Sequence, residues 1–251
     1  MRADQLLVER GLASSRSQAQ RLIASGVRWL DTGGWKTVAK NGDELPPQAP
    51  VELLDTAEAR YVSRGGLKLE GALKAAAIEV AGKTCLDVGQ STGGFTDCLL
   101  QHGALRVTGV DVGHGQLHAN LRRDPRVTSV EKINARQLSA AQVGDDFDLV
   151  VGDLSFISMT LVLPALVPLL KPGGDLLMLV KPQFELQPGQ VGKHGIVSDP
   201  ALYEVVERRL RDCCDALGLQ VCGWYDSAVK GGDGNREFFI HMVKKTAGDT
   251  V

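Results

Sequence analysis

The 251-residue chain has little of what marks the specialised classes of protein. It carries five cysteines, an odd number, and two of them, Cys213 and Cys214, are adjacent. That pattern excludes a disulfide framework and a zinc site of CxxC spacing, and the thiols are expected to be reduced core residues. Aromatic residues make up 5% of the chain, so few rings are on hand to stack on nucleic-acid bases. The formal net charge is −2, which excludes a generally basic coat. No uninterrupted apolar run of about 18 residues occurs, and Met1-Arg2-Ala3-Asp4-Gln5 lacks the apolar stretch of an export signal. Neither a membrane span nor secretion is indicated, and a cytoplasmic location is the expectation. What is present, 43% hydrophobic and 23% charged residues, is enough for a sizeable core and excludes disorder.

Charge is uneven along the chain. Residues 1–40 hold 7 Lys/Arg against 3 Asp/Glu, so any nucleic-acid footprint is local. This segment reads as two short helices, Ala3 to Gly11 and Ser17 to Ser25 ended by Gly26, followed by strands at Val27–Leu30 and Thr37–Val38 around the turn Asp31-Thr32-Gly33-Gly34. Leu22, Ile23 and Ala19 face inward on the second helix, with Arg16 and Arg21 toward solvent. Pro46-Pro47-Gln48-Ala49-Pro50 and an acidic run then mark a change of composition. The reading divides the chain into a small α+β module at 1–58, a linker at 59–62 and a larger domain at 63–251.

From Ser63 strands alternate with helices, the pattern of an α/β, Rossmann-like fold with a mostly parallel sheet. Seven short apolar strands are predicted at 84–88, 107–110, 127–131, 149–152, 176–180, 219–227 and 237–243, with helices near 66–77, 94–102, 137–142, 158–170 and 200–216. The last two strands, bridged by Lys230-Gly231-Gly232-Asp233-Gly234-Asn235, read as a hairpin that puts an antiparallel strand at one edge.

Leu86-Asp87-Val88-Gly89-Gln90-Ser91-Thr92-Gly93-Gly94-Phe95-Thr96 is a strand running through a glycine-rich turn into a helix. Open α/β sheets bind ligands in the crevice at the carboxyl ends of their strands, where glycine lets the backbone approach. Asp111 ends the next strand, 22 residues beyond Gly89, where a carboxylate accepts both hydroxyls of a ribose. A dinucleotide fold wants G-x-G-x-x-G to seat a pyrophosphate on the helix N-terminus. Here Gly89 is followed by Gln-Ser-Thr-Gly-Gly, and the acidic Asp87 beside the turn favours a cationic amine and sulfonium over a pyrophosphate. S-adenosylmethionine fits that description.

The motifs Asp87-Val-Gly-Gln-Ser-Thr-Gly-Gly-Phe-Thr, Asp111-Val-Gly-His-Gly-Gln-Leu, Asn134-Ala-Arg, Asp153-Leu-Ser-Phe-Ile-Ser and Val180-Lys-Pro-Gln-Phe-Glu resemble, in this order, the TlyA family. That family, often labelled hemolysin, groups with the FtsJ-like ribose 2′-O-methyltransferases of RNA. The resemblance covers nearly the whole chain, and the N-terminal module is similar to the S4-type RNA-binding domain. Gln90 departs from the family, which more often has a small residue there. The chain, short at both termini, resembles the compact form that acts on large-subunit rRNA only. What the resemblance implies is a class I methyltransferase fold, S-adenosylmethionine as cofactor, and a cytidine ribose of rRNA as acceptor. The cofactor residues so implied are Asp87, Gly89, Ser91, Thr92, Gly93, Gly94, Phe95, Asp111, Val112, Asn134 and Ala135. A Lys-Asp-Lys-Glu tetrad falls on Lys68, Asp153, Lys181 and Glu237.

Methyl transfer to a ribose hydroxyl needs the oxygen aligned behind the methyl and relieved of its proton, and it requires no metal. His114, His118, His194 and His241 have no ligand-like spacing, and no metal is assigned. Lys181 is the candidate that takes the hydroxyl proton or, if protonated, orients the hydroxyl and stabilises charge on its oxygen; sequence leaves both open. Lys68 holds a phosphate or the ribose, and the two carboxylates orient the lysines. Singly, Lys68 reads as a solvated helix residue, and the case for Glu237 rests on the resemblance. Amino-group methylation is disfavoured because Asp153-Leu-Ser-Phe156 stands where those enzymes carry Asn-Pro-Pro-Tyr, and C5-pyrimidine methylation lacks a placed cysteine nucleophile. Arg2, Arg10, Arg16, Arg21 and Arg28 are read as a phosphate-contacting face, with Arg64 and Arg136 near the cofactor edge. Phe156 and Phe184 are the candidates to stack on a flipped base. A monomer is expected. The rivals are a non-catalytic RNA-binding assembly factor, disfavoured by the intact tetrad, and a membrane-lysing protein, disfavoured by the lack of an amphipathic or spanning segment.

Overall fold

The computed structural model describes residues 1–13, 15–54, 60–231 and 234–246. The chain packs as two compact units, Met1–Leu67 and Lys68–Val251. Residue 59 of the expected linker and residues 232–233 of the expected hairpin connection lie outside the described residues.

In the first unit, α1 (Ala3–Glu9) packs on α2 (Arg16–Gly26), whose N-cap Ser15 accepts from the Gln18 amide at 3.2 Å. Leu6, Leu7, Ala19, Leu22, Ile23 and Val27 form its core. The strands β1 (Val27–Asp31), β2 (Gly34–Thr37) and β3 (Val51–Leu53) form an antiparallel sheet in the order β2-β1-β3. β3, a three-residue strand directly after the proline-rich turn at 46–50, was not predicted. Asp4 is fully buried at the helix pair, where it accepts from Arg2 Nε at 3.0 Å and Arg16 Nη2 at 3.0 Å. The Arg2 hydrogen bond above all, against the cost of burial and with help from Arg16 and Gln20, holds its carboxyl well below the usual carboxylate range.

Helix α3 (Arg64–Ala76) leads into β4 (Thr84–Val88), α4 (Gly94–Gln101), β5 (Arg106–Asp111), α5 (Ala119–Arg123) and β6 (Val127–Glu131). Then come α6 (Ala140–Val143), β7 (Phe147–Asp153), α7 (Leu163–Leu166), β8 (Leu170–Val180), α8 (Pro182–Glu185), α9 (Ala201–Ala216), β9 (Leu219–Asp226) and β10 (Phe238–Lys244). The predicted helix at 158–170 is broken into single turns, because Pro164 and Pro168 withhold the amides that a continuous helix needs. The predicted helix at 137–142 is likewise two turns, 135–137 and α6.

The sheet order is β6-β5-β4-β7-β8-β10-β9. β4 to β8 pair in parallel, and β10 runs antiparallel to both β8 and β9. The antiparallel strand is therefore one place in from the edge, not at the edge as expected. Its residues explain the insertion: Phe239, Ile240 and Met242 are fully buried, whereas β9 is largely half-buried and suits the outer position. The core runs from Leu86, Val88, Val150 and Met178 on the sheet to Leu163, Leu166 and Leu210 on the helices. Strand order reverses at β4, with β5 on one side and β7 on the other, and this opens a crevice at their carboxyl ends.

Candidate active site

The crevice is a cleft of about 560 Å³ whose lining includes Gly89, Ser91, Asp111, Val112, Asn134, Ala135 and Asp153. Six of the eleven expected cofactor residues are in that set. Gly89 turns the chain out of β4 at φ 87°, and a methyl there would stand 2.4 Å from the Asp153 carbonyl oxygen. The position demands glycine on both counts. Asp111 accepts from Ser91 N at 2.7 Å on one oxygen and from Gly113 N at 2.7 Å on the other. Both oxygens are fixed and each keeps a lone pair, the arrangement that a ribose diol requires. Ile133, Ala135 and the 75% exposed Val112 give the cleft apolar surface for a base. Gln116, which accepts from Ser91 Oγ at 3.2 Å, also lines it and was not predicted.

The other expected cofactor residues shape the turn from behind. Phe95 does not face the cleft; it is buried and stacks on Phe239 with ring centroids 6.1 Å apart. Gly93 caps α4, Gly94 is its buried first residue, and Thr92 is exposed outside the lining set. Asp87, near the end of β4 beside the turn, is fully buried beneath it. Its Oδ2 accepts from Thr96 Oγ1 at 2.7 Å, while Oδ1 has no hydrogen-bond partner. Burial pushes its carboxyl up to about 7, the Thr96 hydroxyl opposing and the Asp153 and Asp111 charges adding to the rise. An orphaned carboxylate oxygen under the turn favours a cationic ligand and opposes a pyrophosphate. The residues present therefore fit a nucleoside that carries positive charge.

The tetrad is gathered by the strand register. Asp153 ends β7 opposite Leu179, Lys181 follows β8, and Glu237 precedes Phe238, which pairs with Val180. Three charged residues thus share one sheet edge. Together with Lys68 they make two ion pairs, Lys181 Nζ to Asp153 Oδ1 at 2.6 Å and Lys68 Nζ to Glu237 Oε2 at 2.5 Å. Lys68 is buried, not solvated as its helix position alone suggested. Lys181 also donates to Ser155 Oγ at 2.8 Å, a partner for which the sequence offered no signal. Phe156, 90% exposed, lies 5.0 Å from Phe184 between ring centroids.

Burial pushes the thiols of Cys85 and Cys214 up to about 12, far from the ready thiolate that base methylation would need. Among the described residues no cluster of His, Cys, Asp and Glu is arranged to hold a metal, and no helix is long and apolar enough to cross a membrane.

A family model described as FtsJ-like methyltransferase matches residues 61–244, and an S4 domain model matches residues 1–26. The chain is 46% identical over 250 residues to the 16S/23S rRNA (cytidine-2′-O)-methyltransferase TlyA of Mycobacterium tuberculosis, covering 98% of this chain and 90% of that one. The chain belongs to the FtsJ-like methyltransferase family. It is also 34% identical over 192 residues to the 23S rRNA (cytidine-2′-O)-methyltransferase TlyA of Campylobacter jejuni, covering 76% of this chain and 74% of that one. A solved structure from Streptococcus thermophilus that carries a hemolysin name superposes with a TM-score of 0.76 at 39% identity, covering 98% of this chain and 88% of the other. As a member of this family the protein is an S-adenosylmethionine-dependent methyltransferase, and the Rossmann-like reading of the fold holds.

Of the seven arginines read as RNA contacts, several have intramolecular partners. Arg2 and Arg16 bind Asp4, Arg10 donates to the Ala49 and Pro47 carbonyls, and Arg28 pairs with Glu52 at 2.7 Å and lies over Trp35. Arg21 donates to Ser17 O at 3.2 Å, and Arg64 opens α3. Arg136 is exposed on the turn after Asn134.

Proposed function

We propose that the protein transfers a methyl group to the ribose 2′-hydroxyl of a cytidine in large-subunit rRNA. The reading rests chiefly on two Lys–carboxylate pairs at the edge of a nucleoside-shaped cleft. S-adenosylmethionine supplies an electrophilic methyl on a positively charged sulfur, which departs as a neutral thioether. Asp111 holds its ribose, Val112, Ile133 and Ala135 bracket its base, and the Asp87 carboxylate complements its cation. Lys181 and Asp153 hold the acceptor hydroxyl. Their contact puts a proton acceptor and a cation side by side, one for the hydroxyl proton and one for the charge developing on oxygen. Lys68 on α3 and Glu237 just before β10 repeat the arrangement and hold the acceptor sugar or its phosphate. Phe156 stacks on the acceptor base.

Residues 1–58 form the RNA-docking domain, 59–62 the linker and 63–251 the catalytic domain. Arg16, Arg21 and Arg28, with Arg64 and Arg136, contact phosphates. Arg2 and Arg10 act mainly through the fold that presents them. Large-subunit RNA is favoured because 23S rRNA is common to the names of both rRNA-modifying relatives. The protein works in the cytoplasm as a monomer. The test is transfer of tritiated methyl from S-adenosylmethionine to separated ribosomal subunits and to naked rRNA. Label on large-subunit RNA is expected. Label confined to the small subunit overturns the acceptor, and cofactor binding without label on any RNA overturns the reaction.

A further inference from the structure

Glu185 takes no part in the chemistry above, yet it is buried, 4% exposed, four residues after Lys181 at the end of α8. Its two oxygens accept from Ser158 Oγ at 2.6 Å and from Met159 N at 2.7 Å. Ser158 and Met159 lie at the far end of the loop that leaves β7. At the near end of the same loop, Asp153 and Ser155 meet Lys181. Segments 153–159 and 181–185 are thus joined at both ends. Between the joints stands Phe156 at φ 64°, a conformation costly for a bulky residue that persists only where neighbouring contacts over-determine it. Lys181 and Glu185 border the same small void of about 10 Å³ together with Leu154, Ile157 and Met159 of the loop, so both joints lie against one stretch of chain. Arg209 donates to the Glu185 carbonyl at 2.6 Å and ties α8 to α9. Glu185 therefore stands on a fixed base and the loop hangs from it.

We propose that Glu185 is a positioning residue for methyl transfer: it fixes the 153–159 loop, and through it holds Asp153, Ser155 and Phe156 in register with Lys181. The inference rests on the assignment of Lys181 and Asp153 to the transfer step. It requires two hydrogen bonds rather than a charge. Glu185→Gln keeps an oxygen for the Met159 amide and offers its NH₂ to the Ser158 hydroxyl, whereas Glu185→Ala opens the joint.

The test measures kcat and KM for rRNA methylation together with calorimetric affinity for S-adenosylhomocysteine. Glu185→Ala is expected to lose about 10–100-fold in kcat, the scale of an ångström-sized misplacement, with smaller changes in KM and cofactor affinity, because residues 153–157 also line the cofactor cleft. Glu185→Gln recovers kcat to within about 3-fold, and Ser158→Ala, which spares the carboxylate, falls between. Unchanged kcat in Glu185→Ala overturns the proposal. So does a kcat loss matched by an equal loss of cofactor affinity, or a Gln variant as poor as the Ala variant. Hydrogen exchange at the Met159 amide reads the joint without any acceptor. Faster exchange in Glu185→Ala but not in Glu185→Gln supports the proposal even if the wild type does not label rRNA, and unchanged exchange in both overturns it.

Discussion

Gln90 and Gly109 share one space, and exchanging their volumes has a calculable cost. Gln90 is 4% exposed; its Nε2 donates to Thr96 Oγ1 at 2.9 Å and its Oε1 accepts from Ser129 Oγ at 2.7 Å. A methyl on Gly109 would stand 2.0 Å from Gln90 Cδ. Gln90→Ala removes two hydrogen bonds worth about 0.5–1.5 kcal/mol each and leaves a small void, so a loss of about 2–3 kcal/mol is expected. Gly109→Ala alone overpacks the site at about 1–3 kcal/mol. If the sites were independent, the double variant would lose roughly 4–5 kcal/mol. In the double variant the new methyl occupies the space that Gln90 vacates, so the loss stays near 2 kcal/mol and the coupling is about 2 kcal/mol. Urea unfolding followed at Trp224, on β9 of the larger unit, measures all four corners of the cycle. Additivity within about 0.5 kcal/mol would refute the shared-space argument.

Asp87 predicts a pH slope for the cofactor-free protein. The unfolded carboxyl ionises near 3.9 and the folded one at about 7, so in that window the folded state holds a proton that the unfolded chain has lost. Stability falls as pH rises through the window, and Asp87→Asn abolishes the slope; a flat wild-type profile contradicts the burial argument. Asp4 has the opposite sign. Its folded pKa is depressed, so its stabilisation is complete above about pH 4 and is lost as pH falls toward the folded value. Acid titration of the first unit followed at Trp29 should show that loss in wild type and not in Asp4→Asn, which is already less stable at neutral pH. Gly89→Ala, by pressing on the Asp153 carbonyl, is expected to weaken S-adenosylhomocysteine binding and to destabilise the larger unit by about 2 kcal/mol or more. Wild-type affinity and melting temperature in that variant would show that the turn and Asp153 move apart at little cost.

The parallel sheet was legible because its strands are short apolar runs set between helices, and the cleft because glycine and acid recur at strand ends. Asp111 and Gly89 stand where their spacing put them. The burial of Phe95 and Asp87 behind the turn was not legible, since a motif gives order along the chain and not which side of a turn a side chain takes. The place of β10 escaped for a related reason: a hairpin fixes that two strands are neighbours, and burial of Phe239 and Ile240 decides which of them is inner. Lys68 read as a surface residue on helix periodicity because its partner, Glu237, lies 169 positions away. Glu185 and Ser155 lie within the family motifs, but nothing local distinguishes a carboxylate that accepts from a distant amide from one that faces water.

In the proposed reaction the Lys181–Asp153 pair serves a ribose hydroxyl. The most direct test digests rRNA methylated by the wild type and by Lys181→Ala to nucleosides and identifies the modified species by mass spectrometry. The expected product is 2′-O-methylcytidine from the wild type, with a yield from Lys181→Ala lower by about 10²-fold or more and cofactor affinity retained. A methyl group on the base, or an undiminished yield from Lys181→Ala, would contradict it.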